Sequence, residues 1–125
     1  PVIVDHLAHP DVAAGIDAPE FQQLLQLAKL PNLHIKLSGF YHFTGQPFPY
    51  PDCRPLVQAL YDTFDPQRLL WGSDFPHVIL KTDYGRTVRG LQAIGVNFSQ
   101  ADLTLIMGEN ASRLYWKGEK WDSRQ

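Results

Sequence analysis

Three short apolar runs interrupt the chain, and each is followed by a longer stretch with helical periodicity. The runs are Val2–Val4, Leu33–Leu37 and Leu69–Trp71. Short apolar runs of this kind are typical of strands buried in a parallel sheet, because both faces of such a strand are covered. Alternation of these runs with helical segments predicts an α/β fold with three parallel strands.

Two helices are predicted between the strands. The first is expected to start at a capping box opened by Asp17 and to stop at Pro31. The second is predicted near residues 53–64. Their apolar residues recur every three to four positions, as an amphipathic helix requires. These stripes are Phe21, Leu24, Leu25 and Ala28 in the first helix, and Leu56, Leu60 and Phe64 in the second.

Three more helices are predicted after the third strand. The second of these three is expected to begin at a Ser99 cap and to end just before Gly108. The last is predicted near residues 109–115. The positions expected to point inward are Tyr84, Val88, Leu91 and Gly95 in the first of the three, and Ala111, Leu114 and Tyr115 in the last.

The loops that leave the strands are much longer than those that lead into them. The long loops are residues 7–17, 39–52 and 75–83. In parallel α/β folds, the loops at the carboxyl ends of the strands build the active site. The sequence therefore predicts a site at that end of the sheet, where His6 and Asp74 follow the first and third strands.

Several side chains near these strand ends could carry chemistry. The imidazole of His6 and the carboxylate of Asp74 suit a divalent metal or a general acid/base pair. Alone, such a histidine is more often a hydrogen-bonded loop residue and such an aspartate a helix cap, but their placement at equivalent strand ends makes the functional interpretation equally good. Tyr41 and His42 follow the second strand and could line the same site. Lys36, inside that strand, either faces the interior of a barrel or forms a structural ion pair.

Composition and charge narrow the class of protein. The chain of 125 residues is 44% apolar and 19% charged, which is typical of a globular domain. A net charge of −2 gives no electrostatic reason to expect nucleic acid or an anionic membrane as a partner. No apolar stretch approaches the roughly 20 residues of a membrane helix. Cys53 is the only cysteine, so an intrachain disulfide is excluded, and a reducing compartment, the cytoplasm, is expected.

Four blocks of sequence, in order, resemble the amidohydrolase-2 family of metal-dependent hydrolases, which are (β/α)₈ TIM barrels. Residues 1–10, PVIVDHLAHP, resemble the sixth-strand signature of that family, and residues 68–76, RLLWGSDFP, resemble the eighth. Residues 32–39, NLHIKLSG, are similar to the strand between them, and residues 110–115, NASRLY, to the closing helix. The forms of the blocks at residues 1–10 and 68–76 are most similar to the branch that hydrolyses 2-pyrone-4,6-dicarboxylate and sugar lactones.

The resemblance implies that residues 1–116 are the C-terminal portion of a (β/α)₈ TIM barrel, with strands six to eight, their helices and extra C-terminal helices. Residues 117–125 are then a tail. The implied activity is hydrolysis of a small carbonyl substrate, most simply a lactone. Asp74 is the implied general base and His6 the metal ligand or electrophile; if a metal such as zinc or manganese is bound, both are its ligands. His9, His77 and Tyr41 are expected to bind substrate.

The resemblance also implies that something is missing. The family's metal site begins with a His-x-His pair on the first strand, and this sequence contains no such pair. A barrel needs about 250 residues, and three strands leave free sheet edges. Because the chain opens at Pro1 almost directly in a strand, we expect absent upstream sequence, and a segment that is inactive without the N-terminal half or self-association. A non-catalytic half-barrel or interaction module, or a decarboxylase of the same superfamily, are the alternatives.

Overall fold

The computed structural model describes residues 1–116, so the tail predicted at residues 117–125 lies outside the described residues. The strands are β1 (Val2–Val4), β2 (Leu33–Leu37) and β3 (Leu69–Trp71), and they form a parallel sheet in the order β1-β2-β3. In the register of this sheet, Val4 pairs with Ile35, and Ile35 also pairs with Leu69. The three predicted strands and their parallel arrangement are confirmed.

The helices follow the predicted order, with one addition in the loop after β2. They are α1 (Pro19–Gln26), α2 (Phe40–Phe43), α3 (Arg54–Thr63), α4 (Tyr84–Ala93), α5 (Gln100–Thr104) and α6 (Asn110–Trp116). Shorter helical turns span His6–Ala8, Leu27–Lys29, Pro51–Cys53, Pro66–Arg68 and His77–Leu80, and a π-helical turn spans Leu105–Glu109. Within residues 1–116, none of the helices has the length and apolar character needed to cross a membrane.

The main hydrophobic cluster of the core lies on one face of the sheet. Along β2, Leu33, Ile35 and Leu37 are buried, whereas His34 and Lys36 alternate with them and are only partly buried. This alternation follows from the pleat, which points successive side chains to opposite faces. The buried face belongs to one hydrophobic cluster with residues of the helices, among them Phe21, Leu24, Leu56, Val57, Leu60, Leu91 and Ile106.

Two predicted helix boundaries are wrong. The cap residue of α1 is Ala18, without a side-chain capping bond, because Pro19 fixes the first helical φ and starts the helix two residues after Asp17. Gly108 does not end a helix, since its φ is not positive and the backbone passes through the π-helical turn into α6. The Ser99 cap is confirmed, as its hydroxyl accepts a 3.0 Å hydrogen bond from the Asp102 amide.

The predicted inward faces of α4 and α6 are only partly correct. Leu91 is fully buried, but Tyr84 and Val88 are exposed, because the buried side of α4 runs through Gly90 and Leu91 instead. Gly95 lies beyond the helix, with a φ of +89°. In α6, Tyr115 is exposed and Asn110 is the buried residue.

Polar side chains tie the helices to the amino ends of the strands. The Asn110 amide donates to the carbonyl oxygens of Pro66 and Leu69, at 2.7 Å and 2.8 Å. The Arg68 guanidinium donates to the carbonyl of Leu30 at 2.9 Å. These bonds join α6 to the entry of β3, and β3 to the end of the segment that leads into β2.

Candidate active site

The carboxyl ends of the three strands bring the two leading candidate residues together. His6 lies two residues after β1, and Asp74 lies three residues after β3. Because the strands are parallel, both side chains reach the same edge of the sheet. The His6 Nε2 atom lies 3.5 Å from the Asp74 Oδ1 atom, and both side chains are about one-fifth exposed, at 23% and 22%. The sequence-based prediction that they share one site is thus supported by their positions.

His6 opens a left-handed turn that contains no glycine. The φ angles of His6, Leu7, Ala8 and His9 are +51°, +51°, +60° and +53°. Two backbone hydrogen bonds close the turn, from Ala8 N to Asp5 O at 2.9 Å and from His9 N to His6 O at 2.8 Å. Left-handed backbone costs roughly 1–2 kcal/mol for each L-residue. Burial of Leu7, which is fully enclosed, anchors the turn against this strain.

Asp74 is also held in a left-handed conformation, with a φ of +56°. Strained non-glycine residues of this kind concentrate at functional sites, where surrounding packing overrides the local preference. The strained residues therefore include both residues that the sequence singles out for chemistry.

Tyr41 holds one oxygen of the Asp74 carboxylate. Its phenolic hydroxyl donates a hydrogen bond to Asp74 Oδ2, which leaves Oδ1 directed towards His6. Burial, together with this hydrogen bond and the negative charge of Asp74, raises the pKa of Tyr41 to about 12. Tyr41 consequently keeps its proton at neutral pH and remains a donor to the carboxylate.

The other ring nitrogen of His6 is also engaged. His6 Nδ1 lies 2.8 Å from the hydroxyl of Ser38, a residue at the end of β2 that is 2% exposed. With Nδ1 occupied in this way, Nε2 is the nitrogen available to a ligand. A hydrogen bond to the second nitrogen is the usual means of orienting a histidine that binds a metal or a substrate.

Lys36 and Asp5 form an ion pair beside the site. The Lys36 Nζ atom lies 2.8 Å from Asp5 Oδ1. The hydrogen bond between them lowers the pKa of Asp5 and raises the pKa of Lys36, so both remain charged. The ion pair offered by the sequence is therefore observed, and Lys36 forms it from the face of β2 opposite Ile35 and Leu37.

A cavity of about 370 Å³ opens over His6 and Asp74. This volume lies within the range of about 300–1,000 Å³ found for small-molecule sites. The predicted substrate residues His9, His77 and Tyr41 all line it, and the His9 and His6 rings lie edge-on with centroids 5.3 Å apart. The full lining is His6, His9, Gly39, Tyr41, His42, Phe43, Asp74, His77, Leu80 and Lys81.

Sequence reasoning missed several contributors to this site, Phe43 among them. The sequence indicated only that Ser38 and Gly39 follow a strand, and their position in the sequence does not show that they contact His6. Lys81 and Leu80 lie at the end of a helical turn after Asp74, where no periodicity indicates the direction of a side chain. Lys81 adds a positive charge to a lining that is rich in imidazoles.

The two central residues suit a divalent metal, but only as part of a ligand set. An imidazole nitrogen and a carboxylate oxygen both bind zinc or manganese. Residues 1–116 contain no group of three or more His, Cys, Asp or Glu side chains placed to hold an ion. His6 and Asp74 could therefore supply two of the ligands of such an ion.

Comparison with known proteins agrees with this arrangement. The family model for amidohydrolases matches residues 1–116. The chain belongs to the amidohydrolase family. Among similar proteins, this amidohydrolase chain is 38% identical over 121 residues to the L-fucono-1,5-lactonase of Burkholderia ambifaria, covering 91% of the chain and 41% of that enzyme. It is 32% identical over 130 aligned positions to the 2-pyrone-4,6-dicarboxylate hydrolase of Comamonas testosteroni, covering 94% and 42%.

A solved structure shares the fold. The amidohydrolase of Burkholderia multivorans with bound zinc superimposes with a TM-score of 0.78 at 28% identity, covering 91% of this chain and 43% of that one. The predicted resemblance to amidohydrolase-2 proteins and to their lactone-hydrolysing branch is confirmed. The chain spans less than half the length of each of these three proteins.

Proposed function

We propose that this chain forms strands six to eight of a (β/α)₈ barrel that hydrolyses a lactone. Its match to less than half of each relative supports a partial barrel. Within residues 1–116, β1 and β3 each pair with β2 alone, so both outer edges are free. Ile3, His34 and Lys36 share the less buried face of the sheet, which would be the barrel interior. The N-terminal half of the barrel would cover these surfaces.

The proposed function rests on one observation, the pairing of His6 and Asp74 in the lining of the cavity. A water in contact with both side chains would lose a proton to Asp74 Oδ1 as its oxygen attacks the lactone carbonyl carbon. When the ring C–O bond breaks, Asp74 would return that proton to the leaving oxygen. Tyr41, which donates to Oδ2, would keep Oδ1 facing the water.

His6 would serve as the electrophilic partner through Nε2. In its protonated form it can donate a hydrogen bond to the developing oxyanion, and in its neutral form it can bind a divalent metal. A bound zinc or manganese ion would polarise the carbonyl and lower the pKa of a coordinated water. His6 and Asp74 are the residues of this chain that would hold it. The zinc seen in the Burkholderia multivorans relative supports metal use here.

The test is hydrolysis by the full-length protein that carries this chain. We expect turnover of lactones, measured by proton release, and loss of about 10²–10⁴-fold in kcat for Asp74→Asn, the range typical of a lost general base. The panel should pair neutral sugar lactones with anionic ones, because Lys81 and three imidazoles surround the pair. Asp62→Asn, on the exposed side of α3, is the matched control.

Two alternatives give different results in the same assay. A decarboxylase would release carbon dioxide from an aromatic acid and leave every lactone intact. An interaction module would turn over neither class, and its native mass would show a complex of the 14.2 kDa chain with itself or with another protein. The 125-residue chain alone is expected to be inactive, and lactone turnover by that chain would contradict the need for a second half.

A further inference from the structure

The contact between His6 and Asp74 must pass over the end of the strand that separates them. β1 and β3 are not neighbours, since β2 lies between them. Adjacent strands lie about 4.8 Å apart, so the ends of β1 and β3 should be separated by about 10 Å. The Nε2 and Oδ1 atoms nevertheless approach to 3.5 Å. The residues that end β2 therefore decide whether the two side chains can meet.

Gly39 leaves room for the His6 ring. A Cβ atom added to Gly39 would lie 2.9 Å from His6 Nδ1 and 3.1 Å from His6 Cγ. The first of these distances is shorter than real Cβ contacts allow, and the atoms belong to the body of the ring, not to a flexible tip. Any side chain at this position would displace the imidazole.

Ser38 holds the ring from the same strand end. Its hydroxyl lies 2.8 Å from His6 Nδ1, and the residue is 2% exposed, so water does not compete well for this contact. On its other side, a Cβ atom added to Gly72 would lie 3.3 Å from Ser38 Cβ. Gly72, just after β3, thus leaves room for Ser38, as Gly39, just after β2, leaves room for His6.

We propose that Ser38 and Gly39 form a seat for His6, with Ser38 as the positioning residue for the imidazole. A serine hydroxyl can either donate or accept a hydrogen bond, so it holds the ring whichever nitrogen carries the proton. The seat fixes the direction of Nε2 and leaves that atom free for a substrate oxygen or a metal ion. Its effect on turnover rests on the proposed hydrolase function, whereas its effect on the ring does not.

The chain offers a matched pair of glycines for the test. Gly39 and Gly15 have φ angles of +74° and +73°, and an added Cβ at Gly15 would meet no atom within 4 Å. Gly39→Ala and Gly15→Ala therefore introduce the same backbone strain, but only the first presses on His6. In the full-length protein, we expect Gly39→Ala to lower kcat about 10²-fold, as displacements near 1 Å can do, with KM changed less than about threefold. Gly15→Ala should keep the parent kcat.

Substitutions of Ser38 separate the hydrogen bond from the space around it. Ser38→Ala removes the hydroxyl, and Ser38→Thr keeps it. The readout is the set of ¹⁵N and ¹H signals of the His6 imidazole, identified by their loss in His6→Gln. We expect these signals to shift in Ser38→Ala and Gly39→Ala and to stay at their parent positions in Ser38→Thr. Ser99→Ala, which removes a hydroxyl at a remote helix cap, should leave them unchanged.

The ring signals and the turnover distinguish the two proposals. Parent-like His6 signals in both Ser38→Ala and Gly39→Ala would overturn the seat, whatever the activity. Shifted signals in a protein that hydrolyses no lactone would support the seat and refute the proposed reaction. If Gly39→Ala fails to fold while Gly15→Ala folds, Ser38→Ala and Ser38→Thr decide the outcome alone.

Discussion

At the amino ends of the strands, side-chain hydrogen bonds join helices and strands, and the backbone is relaxed. Asn110, 2% exposed, donates to two carbonyl oxygens, and Arg68 donates to a third. At the carboxyl ends, the backbone is strained instead. All six non-glycine residues with positive φ in residues 1–116 belong to the segments that leave strands: His6, Leu7, Ala8, His9, Tyr50 and Asp74.

The most exposed apolar side chains also lie at the carboxyl end. Phe75, Ile79 and Leu80, in the loop after β3, are 62%, 54% and 78% exposed, the highest values among the large apolar residues of residues 1–116. In (β/α)₈ barrels, the amino ends of the strands serve stability and the carboxyl ends serve catalysis. In residues 1–116, the left-handed non-glycine residues and the most exposed apolar side chains thus lie at the same end of the sheet. Substitutions at the two ends should therefore separate stability from turnover.

The largest expected effect is on stability, at Asn110. Asn110→Ala would remove two hydrogen bonds and leave the carbonyl groups of Pro66 and Leu69 without this donor. We expect the free energy of unfolding to fall by about 2–4 kcal/mol, measured by urea denaturation of the full-length protein, with kcat unchanged. Asn97→Ala, at an exposed position, is the control and should change stability by less than about 0.5 kcal/mol. A large loss of kcat in folded Asn110→Ala would show that the amino end of the sheet affects turnover as well as stability, against this prediction.

The next effect is on turnover, at Tyr41. Tyr41→Phe would free Asp74 Oδ2 and let the carboxylate rotate, and we expect kcat to fall about tenfold, equivalent to about 1.4 kcal/mol, within the range for a hydrogen bond to a charged group. Tyr61→Phe is a close control, because Tyr61 also donates to a carboxylate, Asp102, at 2.6 Å, and neither of these residues lines the cavity.

The pH dependence sharpens the role of Tyr41. Its pKa is raised to about 12, so the protonated donor form persists throughout the neutral and mildly alkaline range. Turnover should therefore show no alkaline limb from Tyr41 below about pH 11, and the pH profiles of the parent and Tyr41→Phe should have the same shape on that side. An alkaline limb that disappears in Tyr41→Phe would mean that Tyr41 loses its proton during the reaction.

Strands, their direction and the location of the site could be predicted from the sequence because they depend on coarse features. Short apolar runs identify buried strands, and long loops after them mark the functional end. His6 and Asp74 closely follow such runs, so the topology places them at the same end of the sheet. Helix boundaries were less predictable at Gly108, where a π-helical turn keeps the backbone helical through a residue that commonly ends helices.

The details of the site depend on contacts between segments far apart in the chain. Ser38 and His6 are separated by 32 positions, and no local pattern shows that they touch. The left-handed turn at residues 6–9 was also invisible, because it contains none of the glycines that usually mark such a conformation. Burial of Leu7 in the assembled core helps to hold the turn in place, and the sequence does not show that contact.

The smallest expected effect is a gain in stability within that turn. Ala8 is exposed, has a φ of +60°, and makes no side-chain contribution to the core. Ala8→Gly would relieve a left-handed strain of roughly 1–2 kcal/mol, offset by the larger entropy of glycine in the unfolded chain, for a net gain of about 0.5–1 kcal/mol. Ala101→Gly, at an exposed position in helix α5, should lose about as much. Urea denaturation of both variants measures the difference. If Ala8→Gly raises stability but lowers kcat, the strain in the turn helps to orient His6. If kcat is unchanged, the strain does not contribute to the orientation of His6, and the seat formed by Ser38 and Gly39 is sufficient for it.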